Sequence, residues 1–343
     1  MRICTWAPTT FQGTQVVQQN VQPLAVPKGK ELVRFTTEIV RRYEDLGVSD
    51  LLIAQRWWGN GEEIEGSSLD CLAMTTLFAS HTEKLKLITA IHPGFFSPTT
   101  IAKWAATIDN LTQGRWAINV TSGWNMDEFD MYGVDKLDHD GRYSRSAEFV
   151  EVLRGAWENR VFDYHGEYFQ ASELQLEPRP SGTLEVFQGG QSDAAIELGA
   201  NHSDWMFLNG GSLERIGDVI KKVGSAAKKN GRRVRFAMYA APLCRETDAQ
   251  AWEVIDSMLS KVDQALVDKR KQRTSGAQGM WGDEDDPLSV LDTNEGYASR
   301  LIGSPETILE RISEYRQLGV EMLHMSLQDE LFNASVLPQL IDL

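Results

Sequence analysis

The sequence predicts an α/β fold, and within that class a closed (β/α)8 TIM barrel with insertions after strands four and seven. Three observations carry the expectation. Short apolar or β-branched runs recur eight times along the 343 residues. Longer amphipathic runs separate them, and alternation of this kind implies parallel strands joined by helical crossovers. Barrels of this type exceed the usual domain length, so residues 1–343 are expected to form a single domain.

In order, the strand runs are "RICTWAP" (2–8), "DLLIAQ" (50–55), "LKLITAI" (85–91), "RWAINVTS" (115–122), "LEVFQGG" (184–190), "SDWMFLN" (203–209), "RFAMYAA" (235–241) and "EMLHMSL" (321–327). Helices are expected at 30–47, 97–114 and 141–159, where apolar residues fall at i, i+3, i+4 spacing and several runs end at a glycine suited to a left-handed cap. Two connections exceed ordinary loop length. Residues 162–182 read as a short hairpin before strand five. The segment 246–300 begins as a helix and becomes "QRTSGAQGMWGDEDDPLSVLDTNEGYASR"; an insertion of that length after a barrel strand reads as a lid. Its acidic run 282–286 reads as a solvated turn rather than a metal site.

A composition of 42% hydrophobic and 24% charged residues is that of a soluble globular protein. No run approaches the roughly 20 apolar residues of a membrane helix. The opening "MRICTWAPTTFQG" lacks the basic, apolar and small-residue plan of an export signal, so a cytoplasmic location is expected. Cys4, Cys71 and Cys244 are far apart, odd in number and without CxxC spacing, which reads as buried free thiols. A net charge of −15 argues against nucleic acid, whose binding draws on Lys and Arg at phosphates.

In a barrel, chemistry sits at the C-terminal ends of the strands. Three stretches stand there. The fourth strand carries Asn119 and releases "TSGW" (121–124); an amide so placed fits a reactive pocket, and equally a core group satisfied by neighbouring backbone. "DHDGRYSRSAEF" (138–149) brings His139, Arg142 and Tyr143 to the start of a helix, a donor cluster suited to an anion or a capped helix with solvent-facing charges. "FQGGQSDAAIELG" (187–199) is a strand, a glycine turn and a helix start, where Gly190, Gln191 and Ser192 can present amides and a hydroxyl to phosphate. It is neither a GK[ST] loop nor a GxGxxG fingerprint.

Together, "AATIDNLTQGRWAINVTSGW", "DHDGRYSRSAEFVEVLRGAW" and "FQGGQSDAA" resemble the bacterial-luciferase-like family of flavin-dependent monooxygenases, in its alkanesulfonate and dimethylsulfone branch. "LITAIHPGFFSPTTIAKWAATID" and "RLIGSPETILERI" extend the resemblance over nearly the whole chain. It implies a two-component enzyme using reduced FMN, supplied by a separate NAD(P)H-dependent flavin reductase, and O2. The chemistry implied is C–S cleavage of a small sulfone or sulfonate through a flavin peroxide or N5-oxide. Alternatives within the fold are a monooxygenase of a pyrimidine-like heterocycle or C–N substrate and a deazaflavin-dependent dehydrogenase. Carried over position by position, Ala54, Gln55 and Asn119 would meet the flavin ring, Glu128, Arg142 and Tyr143 would line it, and Ser192 would hold its phosphate, with His139, Gly190 and Gln191 beside it. Trp124 would wall the reactive side.

On the substrate side, Trp6, Arg56, Trp57, His92, Tyr239 and His324 stand at strand ends, with His92 and His324 as catalytic candidates. The strand-seven run "RFAMYAAPLCRET" departs from the sulfonate enzymes, offering Tyr239 and Ala241 where they carry Arg and His; "RWWG" replaces their cysteine loop. Arg56 or Arg300 would then have to supply a cation for a sulfonate. The family associates as dimers or tetramers, so a homodimer or homotetramer is expected.

Overall fold

The computed structural model describes residues 1–11, 16–17, 25–57, 59, 66–273 and 286–341. Eight parallel strands close into one barrel: β1 (Arg2–Trp6), β2 (Asp50–Ile53), β3 (Lys86–Ile91), β4 (Trp116–Val120), β5 (Val186–Gly189), β6 (Trp205–Leu208), β7 (Arg235–Ala240) and β8 (Val320–Met325). The ring closes where Cys4 of β1 pairs with His324 of β8 on one side and Asp50 of β2 on the other. These are the eight expected runs, with ends that differ by no more than two residues where the chain turns into loops.

The strands read as continuous apolar runs because both faces are covered. Alternate residues point inward, and Cys4, Leu52, Ile88, Ala117, Phe187, Trp205, Ala237 and Met322 fill the barrel axis. Their neighbours Ile3, Leu51, Leu87, Ile118, Met206 and Leu323 point outward into the core beneath the helices. That helical layer includes α1 (Lys30–Asp45), α2 (Cys71–Ala79), α3 (Pro98–Thr112), α4 (Met126–Tyr132), α5 (His139–Glu158), α6 (Asp193–His202) and α7 (Leu213–Lys229). Side-chain caps set several starts. Asp138 accepts from Gly141 N at 2.7 Å, so α5 opens at His139, two residues before the apolar pattern suggests.

Both insertions are present. After β4 come α4, α5 and a hairpin of Phe162–His165 with Gln170–Leu174. After β7, α8 (Asp248–Leu259) and α9 (Gln264–Arg273) lead toward turns at Pro287–Val290 and Gly296–Ser299, then α10 (Pro305–Leu318). Leu243, Ala251, Ile255, Leu288, Leu291 and Ile302 form a small separate core under this return segment, joined by Val17 from the loop after β1. Residues 274–285, including most of the acidic run 282–286 and the middle of the 246–300 segment, lie outside the described residues. The three cysteines are buried and unpaired. Among the described residues, no helix is long and apolar enough to cross a membrane, and no cluster of metal-ligating side chains occurs.

The N-terminal mouth of the barrel is closed by charge. Glu185 takes Lys86 Nζ at 2.7 Å, Arg235 Nη2 at 2.6 Å, Arg2 Nη1 at 3.2 Å and Trp205 Nε1 at 2.5 Å, while Arg2 also pairs with buried Asp50. Arg2 and Arg235 lie over the Trp205 ring at 4.8 and 4.3 Å. Burial opposes the Glu185 charge, yet Lys86 and Arg2 hold its pKa down at about 2.

Candidate active site

The opposite mouth is built differently. Asn119, at the end of β4, lies beside Ala90 of β3 and Phe187 of β5. Its Nδ2 reaches Thr121 Oγ1 at 3.4 Å, and its buried Oδ1 has no partner among the described residues. The chain then turns through Gly123 (φ 100°), where a Cβ would stand 2.5 Å from the Phe129 ring. Only glycine fits that turn, and it leaves Trp124 on the cavity wall.

At the end of β5 the chain approaches its neighbours just as closely. Gly190 has φ 122°, and a Cβ there would lie 2.9 Å from Ala195 Cβ and 3.0 Å from the Tyr143 hydroxyl. Ser192 follows as the cap of the ten-residue α6, its hydroxyl accepting from Ala195 N at 3.2 Å. Tyr143, hydrogen-bonded to Ser192, has its pKa raised by burial. His139 stands with its ring 5.0 Å from Tyr143. A glycine turn, a helix N-terminus and two hydroxyls thus converge at one end of the cavity, an arrangement suited to phosphate.

Aromatic side chains form the inner end. The His324 ring lies 4.3 Å from Trp6, 5.3 Å from Phe207 and 5.4 Å from Tyr239. Burial holds the His324 pKa down at about 3, so the imidazole is neutral near pH 7, and its Nε2 has no partner among the described residues. Burial, with Asp292 nearby, pushes the Tyr239 phenol up. These groups line a cavity of ≈ 200 Å³.

The cavity gathers Trp6, Asn119, Trp124, His139, Tyr143, Gly190, Gln191, Tyr239 and His324 from the sequence-derived candidates, and Ser192 flanks it. Ala54 and Arg56 line a neighbouring chamber. Others are occupied elsewhere. Gln55 accepts from Cys71 N at 2.8 Å and donates to Arg56 O at 3.0 Å, tying the β2 end to α2. Glu128 accepts from Trp57 N at 3.0 Å, and Arg142 donates to Leu137 O at 2.9 Å. Trp57 stacks on Phe95 at 4.5 Å, with the His92 ring at its edge. Burial, then Arg56, holds the His92 pKa at about 3. Arg300 is half-exposed and paired with Asp286 at 3.1 Å.

Several lining residues escaped the sequence reading, among them Phe207, Leu208, Asn209 and Asn294. Phe207 lies near the end of β6 and Asn209 just beyond it. Asn294 comes from the return segment, which is pinned to the barrel by Gly210 N to Asn294 O at 2.9 Å and by Arg215 to Glu295 at 2.9 Å.

The comparisons agree with this architecture. The chain is 35% identical over 292 residues to an FMNH2-dependent dimethylsulfone monooxygenase of Pseudomonas fluorescens (strain Pf0-1), covering 82% of this chain and 79% of that one. It is 37% identical over 270 residues to the enzyme of the same name from Pseudomonas putida, covering 75% and 74%. The crystal structure of DmoA from Hyphomicrobium sulfonivorans superposes with a TM-score of 0.75 at 18% identity, over 100% of this chain and 88% of that one, a likeness of fold. The luciferase-like monooxygenase family model matches residues 1–322, and the chain belongs to that family.

Proposed function

We propose that the protein is a two-component monooxygenase that uses reduced FMN and O2 to oxidise a small organosulfur compound, a sulfone or sulfonate, with cleavage of a C–S bond. The reduced flavin comes from a separate NAD(P)H-dependent reductase. The observation that carries the reading is the extended match to two enzymes named for FMNH2 and dimethylsulfone. The whole chain acts as one barrel domain, with 246–300 as its lid, in the cytoplasm as a homodimer or homotetramer; buried free thiols suit a reducing compartment.

The residues present fit FMN. The unpartnered Asn119 Oδ1 is an acceptor suited to a ring N–H, while the glycine turn, Ser192, Tyr143 and His139 suit the phosphate end. Bound reduced flavin supplies the electrons that activate O2. The protein's share is orientation and dryness. Trp6, Trp124, Phe207 and Leu208 exclude water that would divert the reaction to hydrogen peroxide. Neutral His324 offers a hydrogen bond on the inner wall without placing a charge there. Glu128 supports the site at one remove, holding the Trp57 backbone.

The test is anaerobic titration with photoreduced FMN and, in parallel, a reduced deazaflavin, followed by mixing with oxygenated buffer and a panel of sulfones, sulfonates and pyrimidines. Tight binding of reduced FMN and substrate-dependent release of sulfite or sulfinate are expected. Failure to bind reduced FMN would sink the proposal, and turnover with the deazaflavin alone would replace it with a dehydrogenase.

A further inference from the structure

A second chamber of ≈ 390 Å³ lies against the first, and Trp6, Tyr239 and Asn294 line both. None of its lining comes from the glycine turn at 189–190 or from α6, so it has no part in the phosphate end. Its lining is mixed. Phe11, Val16, Phe35, Ile39 and Leu291 make an apolar wall on one side, contributed by the β1 loop, α1 and the return segment, while Arg56, Arg270 and Asp292 also line it. Arg56 also lines it and stacks at 5.0 Å on Trp124 of the first cavity, a second bridge between the two spaces.

Size and wall chemistry together restrict the occupant. At ≈ 390 Å³ the chamber has room for an organic group larger than methyl. A molecule with only methyl groups would leave most of the apolar wall untouched, and apolar surface contributes only where it is covered. We propose that this second chamber binds the organic substrate, an organosulfur compound with its sulfur group at the Trp6, Tyr239 and Asn294 partition and a hydrocarbon group of several carbons against the Phe11, Phe35, Ile39 wall. The inference rests on the monooxygenase reading for the sulfur group alone; the partition puts that group next to the flavin cavity while the tail stays outside it.

The experiment is calorimetric binding of a series of methyl n-alkyl sulfones, from methyl to hexyl, to the flavin-free protein and, anaerobically, to protein loaded with reduced FMN. Each added methylene is expected to tighten binding about fourfold, the equivalent of ~0.8 kcal/mol per buried CH2, until the chamber is full. Ile39→Trp, a substitution on a partly exposed helix face, should remove that gain for the longer members and leave the reduced-FMN titration unchanged. Affinity independent of chain length, no detectable binding of the hexyl member in either form, or an Ile39→Trp series matching the unsubstituted one would overturn the inference. Loss of reduced-FMN binding would instead count against the monooxygenase reading, because the chain-length series can be read without flavin.

Discussion

The two mouths of the barrel are made from the same eight strands and are opposites in their polar bookkeeping. At the N-terminal mouth, Glu185 is met by Arg2, Lys86, Arg235 and the Trp205 indole. At the C-terminal mouth, Asn119 Oδ1, His324 Nε2, His92 Nδ1 and Trp57 Nε1 are buried without partners among the described residues. A buried polar atom left unmade costs about 1–3 kcal/mol, so folding alone does not favour such a cluster. The difference separates a mouth that holds the fold from one whose hydrogen bonds are left for a ligand.

The largest expected effect breaks the stabilising mouth. Glu185→Ala leaves Lys86 and Arg235 without their shared carboxylate. Removing one partner of a buried ion network costs about 3–5 kcal/mol. Lys86 and Arg235 keep 25% and 35% of their side chains exposed, which places the cost near the lower end, about 3 kcal/mol. Urea unfolding should show that loss, with reduced-FMN affinity unchanged. Equal stability would mean that the network is ornamental.

Acid should separate the same two ends in sequence. His92 and His324 have native pKa values of about 3 against 6.5 in the open chain. A depressed native pKa means that unfolding takes up protons, so their stabilisation is complete above 6.5 and drains as pH falls toward 3. Glu185, depressed from 4.5 to about 2, contributes fully above 4.5 and loses its contribution only between there and about 2. Stability should therefore begin to fall below pH 6.5, before Glu185 at the other mouth titrates. In His324→Asn the loss between pH 6.5 and 4.5 should shrink, while Glu185→Ala should flatten only the lower window. A stability curve flat from pH 7 to 5 would contradict the neutral, buried histidines.

How much of this was legible in the sequence follows from the same contrast. Strands buried on both faces leave continuous apolar runs, so all eight could be read off the chain. Strand ends must converge in a closed barrel, so Trp6, Asn119, Tyr239 and His324 were recoverable from position alone. Side-chain direction was not. Gln55, Glu128 and Arg142 sit in matching motifs, but each has a backbone partner that only the folded geometry reveals. Phe207 and Asn209 carried no mark distinguishing a lining residue from a core one. Asn294 reaches the cavity through a contact with Gly210, far away in sequence, and no local pattern encodes that.

The smallest effect is the most diagnostic. Asn119→Leu keeps nearly the same shape and removes an amide whose oxygen has no partner and whose nitrogen has one long contact, 3.4 Å. If Asn119 were a packing residue, the substitution would disturb the core and lower the unfolding midpoint. If its oxygen awaits a flavin N–H, removal relieves an unmet group in the free protein and deletes a bond only from the complex. Stability should then hold or rise slightly, while reduced-FMN affinity falls by about 10- to 100-fold, the equivalent of ~1.4–2.7 kcal/mol. That is the reverse of Glu185→Ala, which should lose stability and keep affinity. A shared pattern in the two variants would dissolve the division of labour between the mouths, because both ends would then be contributing to the same property.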